Sequence, residues 1–157
     1  MTISAILLAL FVINLGIVFG AGIYETRIVL PLWFNKTTNR NYYVNFENMR
    51  NIDTGRKFWA FTTTVPLTLL TIANLIIAVR SHGQFHNWLL ISTLILLFER
   101  IGTFAFFIPT AIKLQRGENL SAPKVAFLAS LWMRLNYVRN ILTLAGWLLA
   151  LKAWTFF

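Results

Sequence analysis

Apolar residues fall into four long blocks parted by polar stretches, and these blocks predict four membrane-crossing helices. The first block covers residues 3–24, interrupted only by Ser4 and Asn14, and the pattern continues to Leu30 before Pro31 stops it. Crossing the hydrocarbon layer as a helix takes about twenty apolar residues, so this block is long enough. It has no basic leader and no A-x-A cleavage pattern, which reads as a retained helix and not a signal peptide. Leu32, Trp33 and Phe34 are then expected at the membrane interface. A polar connection over 35–57 leads to a second span at 58–79, with Pro66 as a kink. After the short turn 80–87 comes a third span at 88–112. Gly117 and Pro123 break the next polar loop, and the fourth span covers 125–151, followed by the aromatic tail Trp154 to Phe157. The pattern predicts one domain over residues 1–157: an all-α, four-transmembrane-helix bundle with both termini on the same side.

Composition agrees with that pattern. The chain has 157 residues, of which 57% are hydrophobic and 12% charged, against about 45–50% and 25% in soluble domains. The formal charge is +9, but the cations flank apolar spans, where anionic lipid headgroups are their partners. No basic stretch is dense enough to follow nucleic acid. With no cysteine, disulfides, thiolate-held metal and thiol catalysis are excluded. Nine loop cations (Arg27, Lys36, Arg40, Arg50, Arg56, Lys57, Lys113, Arg116 and Lys124) lie on one side against Arg80 and Lys152 on the other. That bias predicts a multi-pass protein of a bacterial inner membrane or its equivalent, with the long loop cytoplasmic and both termini outside. The sequons at Asn35 and Asn119 fall in those cytoplasmic loops and read as chance matches.

Functional information lies in side chains a bilayer rejects: Glu99 and Arg100 in the third span, and Arg134, Asn136, Arg139 and Asn140 in the fourth. An ionisable group at that depth costs about 2.5–3.5 kcal/mol unless it meets partners or water. On a helical projection Ser92, Thr103, Phe106 and Thr110 fall within about 40° of Glu99, and Trp132, Asn136, Arg139, Thr143 and Trp147 share a sector of roughly 80°. The first span aligns Asn14, Ala21 and Glu25, and the second aligns Thr63, Leu67, Thr71 and Asn74. Four inward stripes describe a polar interior, with Asn14, Asn74, Arg100 and Thr103 as candidate substrate contacts. Matched depth predicts a Glu99–Arg139 ion pair. Arg100 is then left for Glu25 or backbone carbonyls, and Arg134 turns toward another helix or a second subunit. Three arginines against two carboxylates leave the interior net positive, suited to an enolate, a phenolate or a lipid phosphate.

The same residues have a purely structural use. Buried Asn, Thr and Glu–Arg pairs tie helices together where no hydrophobic force does so. The G-x-x-x-G of Gly16 and Gly20 reads as close helix contact. His82 and His86 have the spacing of two metal ligands but nothing nearby to complete a set, so no metal site is expected. No catalytic triad, phosphate loop or nucleotide fingerprint occurs.

Tyr24-Glu25 followed by Pro31-Leu-Trp33, the segment from Arg100-Ile-Gly-Thr to Ile-Pro109, and above all Trp132-x-x-x-Asn136-x-x-Arg139 resemble the anthrone-oxygenase-like family of small membrane proteins. The resemblance covers the whole chain and implies four transmembrane helices. It also implies oxidoreductase or oxygenase chemistry that converts anthrones to anthraquinones. Asn136 and Arg139 would then polarise a substrate oxygen, Trp132 would stack on its ring, and Glu99 or Glu25 would be the base that makes an enolate reactive toward oxygen. It names no cofactor.

Three roles fit these features: an enzyme acting on a lipophilic aromatic or quinone-like molecule, a binding or transport module for a lipid or small molecule, and an accessory subunit of a larger membrane complex. A transporter of this size would need to oligomerise, with Arg134 as the candidate contact in a homo-oligomer.

Overall fold

The computed structural model describes residues 2–36, 42–116 and 120–156. Arg40 of the basic loop, the breaker Gly117, the sequon positions Thr37 and Asn119, and the tail residue Phe157 lie outside them. Four helical columns form the body: α1 (Ile3–Trp33), α3 (Gly55–Arg80), α4 (Gln84–Arg116) and α5 (Ala122–Trp154). The connection after α1 is more than a loop. It holds an antiparallel pair, β1 (Phe34–Lys36) with β2 (Tyr42–Val44), and a short helix α2 (Phe46–Asn51). The Asn45 side chain accepts from the Asn48 N–H and so starts α2. Gly83, at φ +82°, makes the turn into α4 that a side chain would resist.

Of the four expected spans, three have the length and apolarity of a membrane crossing among the described residues: α1, α3 and α4. Helix α5 is as long as α4, but Arg134, Asn136, Arg139 and Asn140 dilute its apolar character. Helix α1 also does not end before Pro31; it runs on to Trp33. Trp33 and Phe34, expected at the lipid interface, are instead 2% and 4% exposed.

The prolines explain how the helices continue through them. Just before Pro31, Pro66 and Pro109 the backbone widens into π-helical turns, Glu25–Val29, Gly55–Thr64 and Thr103–Phe107. In each case the residue preceding proline donates five residues back: Leu30 to Glu25, Val65 to Ala60 and Ile108 to Thr103. A proline ring clashes with the carbonyl four residues back and offers it no N–H, and a shift in register relieves both problems.

Neighbouring columns pack in the cyclic order α1–α3–α4–α5. A Cβ on Gly16 would meet Trp147, and one on Gly22 would meet Asn140, while Asn136 bonds Thr26. This register makes α1 and α5 antiparallel, so the start of α1 and the finish of α5 share one end, the terminal end. The opposite, hairpin end carries β1, β2 and α2. Gly20 has nothing near its Cβ position, so close approach uses Gly16 and Gly22, not the expected Gly16–Gly20 pair. One apolar cluster fills the terminal half, around Leu8, Phe11, Leu15, Leu67, Leu89 and Leu96. Another fills the hairpin end, around Trp33, Phe34, Met49, Phe107, Leu114 and Trp132. The polar groups lie between them.

Asn14 shows how a buried amide serves the fold. Pro66 has no N–H for the Thr62 carbonyl, and Asn14 Nδ2 donates to it at 3.1 Å. Asn14→Leu is expected to cost about 1–2 kcal/mol in detergent unfolding. On a Pro66→Ala background, where a backbone donor returns, the same change should cost less than half as much.

Candidate functional site

The wide turn after Tyr24 aims Glu25 into the bundle, 3% exposed. Its two oxygens meet different columns. The Trp59 indole N–H donates to Oε1 at 3.1 Å, and Arg139 Nη2 donates to Oε2. Arg139 also donates to Asn136 Oδ1 at 2.5 Å, and its guanidinium lies 5.2 Å from the Trp59 ring and 4.6 Å from the Phe107 ring. One arginine on α5 thereby holds α1 by charge and α3 and α4 through aromatic faces. Asn136 and Asn140 both donate to Thr26 Oγ1, at 2.6 and 2.9 Å, while Thr26 donates to the Gly22 carbonyl.

The expected Glu99–Arg139 pair does not form. Arg100 folds back on its neighbour, with Nε 2.6 Å from Glu99 Oε2, and Thr103 donates to Glu99 Oε1 at 2.9 Å. Depth is not the reason: Ser92 against Gly146 and Phe107 against Trp132 put Glu99 level with Arg139, but Arg100 and Thr103 take both Glu99 oxygens and Arg139 goes to Glu25. Arg100, expected to reach Glu25, is held by Glu99 instead. Arg134, placed with the embedded polar groups, is exposed on the outer face of α5.

A cavity of about 530 Å³ opens beside these pairs, toward the hairpin end. Of the residues predicted for the site, Glu25, Arg100, Thr103, Trp132 and Arg139 line it, Asn136 lies directly behind Arg139, and Glu99 behind Arg100. Asn14 and Asn74 do not reach it. Asn74 Nδ2 donates to the Leu7 and Leu70 carbonyls, so both amides tie helices. The hydroxyls of Thr63, Thr71 and Thr143 donate to the carbonyl four residues back in their own helices, which takes them out of the chemistry. His86 Nδ1 donates to the Ala78 carbonyl at 2.6 Å and secures the turn before α4.

Two features make the cavity selective. Its walls carry Arg56, Arg100, Arg116 and Arg139 against Glu25 and Asp53, so they stay net positive even with Glu99 counted behind Arg100. The indole N–H groups of Trp33 and Trp132 are also buried without a hydrogen-bond acceptor, and both residues line the same space. A buried donor left unpaired costs about 1–3 kcal/mol. Among the charged side chains that line the cavity, cationic donors outnumber carboxylate acceptors. Its aromatic wall is edge-to-face: the Trp132 ring lies 6.4 Å from Trp33, 5.8 Å from Phe34 and 5.3 Å from Phe107.

Sequence reasoning missed Trp33, Trp59 and Phe107. Trp33 and Trp59 sit near a loop boundary, where an aromatic residue reads as an interface anchor, and Phe107 is one phenylalanine among several in an apolar span. The available signal was the proline two residues after each wide turn, since such turns favour functional positions. Compared with known protein families, curated proteins and solved structures, the chain matches none of them.

Proposed function

We propose that this chain is a multi-pass integral membrane protein whose cavity binds a lipophilic ring compound bearing oxygen acceptors, of the quinone, anthrone or phenolate class. In this reading α5 is the fourth span of a transmembrane four-helix bundle. Its polar residues Asn136 and Arg139 are turned inward, whereas Tyr137, Val138, Ile141, Leu148 and Leu151 present an apolar outer face. In the same reading the basic hairpin end is cytoplasmic and the termini are outside, on the strength of the loop-charge bias. The exposed Arg134 then meets lipid headgroups or a second copy of the chain.

The observation that carries the ligand class is that Trp33 and Trp132, whose buried indole N–H groups lack acceptors, line one cavity with Arg100 and Arg139. Oxygen atoms on a flat apolar ring satisfy those donors while the ring packs against Trp33, Phe107 and Trp132. Isothermal titration in detergent tests this. A naphthoquinone should bind, its hydrocarbon analogue naphthalene should bind far more weakly, and Trp33→Phe or Trp132→Phe should each weaken the quinone about fivefold. Equal binding of quinone and hydrocarbon would refute the assignment.

Of the three roles, the accessory subunit loses its motive, because Glu25, Glu99, Arg100 and Arg139 all find partners within the chain. Both embedded carboxylates have each oxygen engaged by a donor, which favours binding or carriage over base catalysis. The oxygenase role implied by the family resemblance would use Glu25 at the cavity wall to take the acidic ring proton of an anthrone. Molecular oxygen would then yield the anthraquinone and water. Under that role Glu25→Gln stops turnover yet keeps ligand affinity, whereas under a carrier role no turnover is found with either form.

A further inference from the structure

We propose that the cavity is reached sideways from the bilayer, through the seam between the hairpin-end halves of α3 and α4. Its ligand is accordingly a ring compound with a hydrocarbon tail. This rests on the ring-binding function proposed above and adds the tail and its path. Three of the four seams around the bundle are closed by named contacts. Gly22 with Asn140 and Thr26 with Asn136 close α1 on α5. Asn14 with Thr62 and Glu25 with Trp59 close α1 on α3. Ser92, donating to the Gly146 carbonyl at 2.7 Å, and Trp132 against Phe106 and Phe107 close α4 on α5.

The fourth seam differs along its length. Val65–Arg80 packs on Gln84–Gly102 at the terminal end, but toward the hairpin end both helices line the cavity. Ala60 and Thr64 stand on one side, Ile108 and Ile112 on the other. Each pair is spaced by four, so each forms one stripe on its helix. The stripes are small or apolar, none of the four residues is buried, and Phe61 and Phe104 flank them on the outer surface at 79% and 50% exposure. The other way out passes Asp53, Arg56, Gln115 and Arg116, where Gln115 bonds Asp53 and the Met49 carbonyl across the mouth. A hydrocarbon chain has no reason to cross that charged rim. A volume of about 530 Å³ suits a fused ring system and leaves no room for a long chain, so a tail must leave through the apolar seam.

The test uses full-length protein in nanodiscs of zwitterionic phospholipid and two probes: 2-methyl-1,4-naphthoquinone and the same ring carrying an isoprenoid tail. Ala60→Phe and Ile108→Phe each fill the seam. Each should weaken the tailed probe about tenfold more than it weakens the tail-less probe. Retained binding of the tail-less probe also shows that the variants fold. If the seam variants weaken both probes alike, or neither, the sideways path is overturned and ring binding stands. If the wild-type protein takes neither probe, ring binding itself fails and the tail falls with it.

Discussion

Glu25→Ala is expected to destabilise the fold by about 3–5 kcal/mol, the usual cost of leaving one member of a buried ion pair alone. Arg139 would keep only Asn136 Oδ1 as an acceptor while its guanidinium stays packed between Trp59 and Phe107, and the Trp59 N–H would lose its acceptor as well. Arg139→Ala should be similarly damaging, because it leaves the carboxylate with Trp59 alone. The double variant should lose less than the two single losses combined, by at least about 1 kcal/mol. Thermal unfolding in detergent of the four proteins decides it. Strict additivity would mean that the pair contributes nothing to the fold beyond its separate side chains.

Gly146→Ala should cost about 1–3 kcal/mol by overpacking. A Cβ there would lie 1.7 Å from Leu96 Cδ2 and 3.1 Å from its Cγ, and Leu96 is fully buried. The Gly146 carbonyl also accepts from Ser92, so moving α5 outward to make room would stretch that bond. On a Leu96→Ala background the same substitution should be neutral or stabilising, since the added methyl group then fills part of the void. Gly20→Ala, with open space around its Cβ position, should leave the unfolding temperature unchanged. If Gly146→Ala behaves like Gly20→Ala, the close contact of α4 with α5 is not limiting.

Faces were legible in the sequence where the helices keep a constant period. Leu67, Thr71 and Asn74, beyond the wide turn of α3, share a face in projection and are all buried, and the aligned Trp132, Asn136 and Thr143 of the uninterrupted α5 are buried too. Partners were not legible. A matched depth is readable from sequence, but which of two carboxylates at that depth an arginine takes is not. Glu25 and Glu99 both face the interior near Arg139, and the choice between them is decided by Arg100 and Thr103 occupying Glu99. Each wide turn also inserts a residue, which rotates the downstream side chains by about 100°. Hence Trp33 reads as an interface anchor by composition yet lies inside. The unpaired indole donors could not be foreseen at all, because an unmet hydrogen bond is a property of surroundings and not of a residue type.

Three of the four columns lose a rung of their backbone ladder in the hairpin-end half, whereas α5 runs unbroken for 33 residues. Mechanically, then, one mast stands beside three jointed spars. If the proposed ligand binds, a bulkier guest is expected to shift the backbone at Glu25–Val29, Gly55–Thr64 and Thr103–Phe107 more than in α5, which hydrogen exchange with and without ligand would show. The stiff column would keep Asn136 and Arg139 in place throughout.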